Sequence, residues 1–544
     1  MVTTNSLKPS LVLKRRVLRI YQTVVSNKLL KRVFGALSLA FLWLSAFSQA
    51  TTQVHDVSAV ERDFQFKLFE NRFAEIPSLI NQGNLKQFAY GEANYLYAEG
   101  TLRHPQDYKA QRGIRLKTAS LASLKKTNWT FYGSFEYLNT SKENVENNLT
   151  YGVRAYDSPY YLFQNTSGLW EHQNYNFSVS AVNQVNTRLS LGGDLNYSTH
   201  LYYRKVDTRN ELTALKIEGS LSASYQFTPK QVLSVALRAG FFKTDSELRN
   251  KFPENNTELT ANRYLNAGLG SYIKNIEQGF ETKRNTPGVQ LHWYGKYDHW
   301  DISVQSTTKV GREAWTDNSI LREEQNNVLT KYNFTSQQIR VLYNKYYKRK
   351  QLMMSIAAEY LKGDGNIWEA NLSDYYKNFL TERYEIEAQA EILFQDQLVN
   401  KIGLKAKFYN REQLDLNYAY QFDYQWVVPE VSVALHQPIS PKVSSFVNLS
   451  TLYHQVLEVK HSPRAARNIF VDWIGRPVAD FVGTSLWNFN TKLGLNFSLK
   501  NKTTLAFSVS SSYWKVAGLS EEIAPRISKN DDYLEVVVNA RLFF

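Results

Sequence analysis

The sequence predicts an all-β fold: an antiparallel β-barrel crossing a membrane with about 18 strands, within a range of roughly 14 to 18. Three observations predict it. Long segments alternate apolar and polar side chains residue by residue, giving strands with one oily and one wet face that are longer than the five or six residues usual in soluble sheets. The connections alternate between brief turns and long stretches, and the chain closes on a strand ending Arg541-Leu542-Phe543-Phe544.

Residues 1–50 carry eight Lys and Arg and no acid, so of the formal charge of +14 only +6 belongs to residues 51–544. Lys28, Lys31 and Arg32 precede an apolar run from Val33 to Phe47, and Ala46, Ser48 and Ala50 are small residues of the kind found at a signal-peptidase site. The run is shorter than the ~20 residues of a spanning helix, so the segment reads as a secretory signal with an extended basic leader. In residues 51–86, Val57, Val60, Phe64 and Leu68, then Phe69, Phe73, Ile76 and Ile80, have helical spacing. They predict short amphipathic helical stretches that plug the lumen, cover the periplasmic opening, or simply lead into the first strand.

The barrel is expected over 87–544. Its clearest strand turns Trp487, Phe489, Thr491, Leu493, Leu495, Phe497 and Leu499 to one face and Asn488, Asn490, Lys492, Gly494, Asn496 and Ser498 to the other. Leu215, Ile217, Gly219, Leu221, Ala223, Tyr225 and Phe227 repeat the pattern, as do Leu505, Phe507, Val509, Ser511 and Tyr513. Further strands are expected near 88–98, 111–121, 127–138, 174–185, 188–199, 231–243, 287–297, 300–309, 331–347, 351–361, 383–395, 401–410, 418–436, 442–454 and 532–544. Between them fall short turns such as Asn186-Thr187 and Asp298-His299. Long loops are expected at 139–173, 244–286, 310–330, 362–381, 455–484 and 515–531. Short turns on one rim and long loops on the other mark an outer-membrane barrel, whose periplasmic turns are brief. A terminal aromatic on the last strand, here Phe544, resembles the signal read by the outer-membrane assembly machinery.

Composition agrees. Aromatic residues make up 14% of the chain and Cys is absent, while mean hydropathy is −0.42, as expected where lipid-facing and lumen-facing residues cancel in any average. A barrel can dispense with disulfides because every strand is bonded to two neighbours. The mild basicity of 51–544 comes with no basic stretch, so no nucleic-acid partner is expected. No cofactor, metal site or catalytic residue is expected either. His-Glu-x-x-His, Gly-x-Ser-x-Gly and a phosphate-binding glycine loop are missing. The outer-membrane phospholipase pattern, a His and a Ser two apart on one strand, is not expected among the nine His. Asp298-His299 echoes the protease pair but falls in a short turn on the wrong rim.

Two constellations remain. Strand 383–395 turns Arg383, Glu385, Glu387, Gln389 and Glu391 inward, and 401–410 turns Lys401, Lys405 and Lys407 inward. With a turn centred near Leu398, Glu391 faces Lys405 and Glu387 lies diagonal to Lys407. Such a zipper either fixes register or lines a selective lumen, which Arg340 and His292 would join. Between two strands on the long-loop rim, Arg204-Lys205-Val206-Asp207-Thr208-Arg209-Asn210 offers Arg204, Asp207 and Arg209 as ligand contacts, or is a solvated hairpin tip.

The Arg-x-x-Asp-x-Arg-Asn stretch, the Tyr- and Trp-rich strands and the Phe-terminated last strand resemble a poorly characterised family of outer-membrane barrels of Bacteroidota. The resemblance covers roughly residues 55–544 and implies location and architecture. The expected functions are, first, a channel or transporter in the cell outer membrane, in contact with its lipid and with a surface lipoprotein or receptor as candidate partner. The others are a non-conducting assembly or scaffold barrel and a barrel enzyme.

Overall fold

The computed structural model describes Phe69 and residues 75–82 and 88–543, other than 125–126, 151–157, 252–261, 275, 277, 318–327, 370–372, 395–397, 464–468, 500–502 and 520–526. The proposed signal segment and Phe544 lie outside the described residues. The chain falls into two units. Val57–His436 with Ser445–Phe544 is the barrel. Met1–Asp56 with Gln437–Ser444 is the other, and its described part is a tight strand-to-strand turn.

The strands are β1 (Phe88–Gly100), β2 (Ala110–Leu124), β3 (Trp129–Glu146), β4 (Tyr161–Phe163), β5 (Ser167–Gln184), β6 (Leu189–Arg204), β7 (Arg209–Thr228) and β8 (Gln231–Arg249). There follow β9 (Tyr264–Asn266), β10 (Tyr272–Lys274), β11 (Gly279–Asn285), β12 (Gly288–Lys296), β13 (Trp300–Asp317), β14 (Val328–Tyr346) and β15 (Lys350–Glu369). The last are β16 (Asp374–Phe394), β17 (Val399–Asp415), β18 (Tyr420–Ser440), β19 (Val443–Ser462), β20 (Ser485–Ser498), β21 (Thr504–Gly518) and β22 (Asp532–Phe543).

All but β4, β9 and β10 belong to one antiparallel sheet, closed where β1 pairs with β22 from Tyr90↔Phe543 to Gly100↔Tyr533. β11 and β12 are halves of one stave, both paired to β8 and β13 in unchanged register and interrupted at Pro287, which has no N–H to give. The barrel therefore has 18 staves. Closure leaves no open edge.

Period two decides what each face meets. Outward Leu221 and Leu237, paired across β7 and β8, are 75% and 63% exposed, while inward Ser222, Ser224 and Ser234 are buried. Large apolar side chains are exposed around the wall, including Leu116, Leu195, Val289, Ile339, Ile356, Ile386 and Leu404.

The loops differ from the expectation. β15 runs to Glu369 and β16 starts at Asp374, so the loop placed at 362–381 is a four-residue link between 20- and 21-residue strands. β3, β8, β13 and β19 extend likewise into stretches expected to be loops. A tilted strand needs only ~9–11 residues to cross. Beyond that depth neither face is selected for lipid, the apolar alternation stops, and Lys362-Gly-Asp-Gly-Asn366 continues as strand with no such pattern to announce it.

Described parts of three other long loops fold inward. β4, β9 and β10 form a small three-stranded sheet, and 471–482 is helical, a turn of π-helix running into α1 (Arg476–Val482). These pack with Trp170, Tyr202, Phe280, Trp315, Tyr332 and Phe379 of the staves into the largest apolar cluster.

Candidate functional site

The inner wall carries an inward-folded cap at the long-loop rim, a 3-10 helix docked near the short-turn rim, and a polar, charged stretch on β16 to β22. At the long-loop rim the inward-folded cap is latched to the staves by buried polar side chains. Asp415 Oδ2, at the end of β17, accepts the backbone N–H groups of Leu269, Gly270 and Ser271 at 3.0, 3.1 and 3.0 Å, and its Oδ1 accepts the Ser271 hydroxyl at 3.2 Å. Glu313 of β13 takes Arg284 at 2.6 Å, the Ser158 hydroxyl at 2.7 Å and the Trp315 indole N–H at 2.7 Å. Tyr160 donates to the carbonyls of Lys331 and Asn366. Asn378 donates to Ala267 O, and Asn210 donates to Leu149 O while accepting from Ser246 at 2.7 Å. Each latch satisfies loop backbone or side-chain groups that water would otherwise have to reach. Burial, with Tyr272 nearby, pushes the Tyr264 and Tyr418 phenols further above their ordinary range.

At the short-turn rim, the 3-10 helix Pro77–Gln82 lies against the inner wall. Ile76, Leu79 and Ile80 join Phe69 in an apolar cluster with Tyr90, Leu121, Tyr132, Val182, Val232 and Tyr294. Ser78 N donates to Ser222 Oγ at 2.9 Å, and Asn81 donates to Ser190. Gly192 permits this approach, since a Cβ there would stand 2.6 Å from Ser78 N. Glu75 is held by Arg340 at 3.0 Å and Gln305 at 2.5 Å.

A cavity of about 590 Å³ runs along the inner wall of β16 to β22, and a second of about 260 Å³ lies beside Arg340, Glu359, Glu385 and Glu387. The acidic and basic rows meet there in a register two residues from the expected one. Glu387 stands opposite Lys407 and Gln389 opposite Lys405, whereas a turn centred near Leu398 would have put Glu391 opposite Lys405. The ion pairs consequently run diagonally: Glu391 with Lys401 at 3.0 Å, Glu387 with Lys405 at 2.8 Å and Glu385 with Lys407 at 2.7 Å. The side chains of Lys405 and Glu387 are about a third exposed, so the ladder sets register more than stability. Lys405→Ala should cost no more than about 1 kcal/mol in urea unfolding of the micelle-bound protein, whereas Lys405→Glu, placed among Glu387 and Glu430, should cost more. Equal costs would remove the electrostatic role.

Arg340 lines the smaller cavity, but its guanidinium is engaged by Glu75. His292 is buried on β12 opposite Gln305 and Ser234, behind the same closure. Arg204 is not a free loop contact. It is 3% exposed and binds Thr166 Oγ1 at 2.8 Å and the carbonyls of Ser167, Val206 and Thr208. Asp207 and Arg209 pair at 3.0 Å nearer the surface.

One sequence expectation needs correcting. Ser198 stands two residues before His200 on β6, and its hydroxyl lies 2.8 Å from His200 Nε2, with Asn176 also in reach. His172 Nε2 and the Tyr202 hydroxyl each lie 3.3 Å from His200 Nδ1. The flanking backbone is committed to ladders with β5 and β7.

Residues 77–544 match the model of a family described as a family of unknown function, DUF6850. The chain belongs to that family. No curated protein matches it. Among solved structures it is similar to the siderophore receptor PiuA from Acinetobacter baumannii, with a TM-score of 0.38 and 10% identity over 85% of this chain and 82% of that one. The outer membrane transporter YddB from Escherichia coli gives 0.36 and 7% over 82% and 80%. The siderophore receptor PirA from Pseudomonas aeruginosa gives 0.34 and 8% over 83% and 80%.

Sequence reasoning missed Glu75, Glu313 and Asp415, because a latch is defined by what a distant loop brings to it. Lys492 and Glu535 were visible on the wet faces of their strands, and strand alternation would have added Glu430.

Proposed function

We propose that this chain is an outer-membrane barrel that passes a polar solute through a lumen gated at both rims. The observation carrying this reading is the charged cavity on the inner wall of β16 to β22, in a barrel whose long-loop rim is capped by its own loops. A structural filler would favour apolar packing over six paired charges. The exposed apolar outer face of the staves supports residence in outer-membrane lipid, and delivery by the barrel-assembly machinery goes with that location. A surface lipoprotein or receptor on the long-loop rim fits staves that project beyond the membrane.

The capped long-loop rim also favours a second reading, a non-conducting barrel that serves as an assembly or scaffold partner. Bilayer conductance separates them. The wild-type chain should conduct little in a planar bilayer, and Ile80→Asp should produce stable ionic steps. A carboxylate among Leu79, Tyr132 and Val182 is disfavoured by on the order of several kcal/mol and should undock the 3-10 helix. Gly192→Val should do the same from the wall. If both variants fold, shown by heat-modifiable gel migration, yet stay as silent as wild type even when combined with Glu313→Ala, the scaffold reading replaces the channel.

A further inference from the structure

The larger cavity holds charges that the ladder leaves unused. Glu430 of β18 stands directly opposite Lys405, but Lys405 Nζ turns away to Glu387 at 2.8 Å. Glu430 therefore makes no ion pair with a described residue. Glu535 of β22, opposite Ser512, makes none either. On β20 between them in the wall, Lys492 pairs with no described carboxylate and lies over the Phe446 ring at 5.6 Å. The stretch separating these charges is hydroxyl and amide: Ser450, Asn490, Ser510 and Ser512, with Asn490 donating to Ser450 at 3.1 Å. No aromatic side chain is among the described residues lining the cavity.

We infer that this cavity binds a zwitterionic solute, a short peptide with free termini. Its carboxylate lies toward Lys492 and its ammonium toward Glu430 on one side or Glu535 on the other, with its amides along the Ser and Asn side chains between them. The argument is one of complement. A neutral sugar leaves all three charges unanswered, a simple cation brings its charge beside Lys492, and a simple anion meets two carboxylates. A solute carrying both signs at its ends and hydrogen-bonding groups between them answers the Lys, one flanking carboxylate and the polar stretch that separates them. The volume of about 590 Å³ lies within the usual ~300–1,000 Å³ of small-molecule sites. The inference rests on the transport reading only in that the solute reaches the cavity from outside.

The test is calorimetric titration of the purified full chain in detergent, and of its Ile80→Asp variant, with trialanine, N-acetyl-trialanine, trialanine amide and maltotriose. Trialanine should bind, and blocking either end should weaken binding about tenfold or more, the loss of one charge-assisted contact. In E430Q/E535Q the difference between trialanine and its N-acetyl form should vanish. In K492M the difference between trialanine and its amide should vanish. The inference is overturned if neither variant removes its end preference, if maltotriose binds as well as trialanine, or if trialanine binds neither protein. Conductance keeps the two proposals separate. A chain that binds trialanine but never conducts loses the transport reading alone, and one that conducts without end preference loses only the peptide.

Discussion

Replacing Glu313 by Ala is expected to loosen the loop cap by about 3–5 kcal/mol, the usual consequence of removing one partner from a buried ion pair. Glu313 and Arg284 have side chains only 2% and 7% exposed. The carboxylate also receives Ser158 and Trp315, so truncation strands a guanidinium and takes the acceptor from two further donors. Arg284 keeps its position over the Phe242 ring, 4.6 Å from the centroid, which offsets part of the loss. The stave pairing β11 to β13 does not depend on the side chain. The barrel should therefore persist while the cap opens. Amide hydrogen exchange reads this directly: protection at Tyr161–Phe163 and Tyr264–Asn266 should fall while that of the β7 and β8 ladder stays. Glu313→Gln, which retains an acceptor but no charge, should fall between the two. Unchanged cap protection in the Ala variant would mean that Asp415 and the apolar cluster suffice and that Glu313 is no latch.

How much of this was legible beforehand follows from which force sets each element. All 18 staves were placed by period two, because lipid outside and water inside select alternate side chains, and that selection is written locally. The turn at Asp298-His299 was legible for the same reason. The inward folding of the loops was not, since Tyr161, Leu162 and Phe163 give an apolar run without period and their partners Tyr264 and Leu265 lie a hundred residues away. The ladder shows an intermediate case. Its rows were readable from Glu385, Glu387 and Glu391 against Lys401, Lys405 and Lys407, but its register was two residues off, because a turn of unknown type sets which residue faces which. Arg204 shows the opposite failure. A basic residue in a polar hairpin reads as exposed, and only the tertiary fold reveals four acceptors converging on it.

Leu221→Arg should cost about 2–4 kcal/mol of stability in lipid, the penalty for a guanidinium on the outer face near the bilayer midplane. Leu221 is six residues from Phe227 at the short-turn end of β7 and is 75% exposed. Its cross-strand partner Leu237 is exposed as well. A leucine pair so placed on a water-soluble protein would tolerate arginine with an effect within about 0.5 kcal/mol, because nothing packs on it. The two environments thus predict different outcomes from one substitution. Leu495, on the outer face of β20, is only 6% exposed, and there a loss would report packing as much as lipid. The experiment is reversible unfolding in phospholipid vesicles, with Leu221→Ala as the control for lost apolar area and Ser222→Arg as the inward counterpart. Leu221→Arg should unfold at lower denaturant than Leu221→Ala. Ser222→Arg meets no lipid, but it removes the acceptor for Ser78 N, so it should raise conductance by displacing the 3-10 helix. If Leu221→Arg instead matched Leu221→Ala, the apolar outer face would not be in contact with lipid, and the membrane assignment would fall with it.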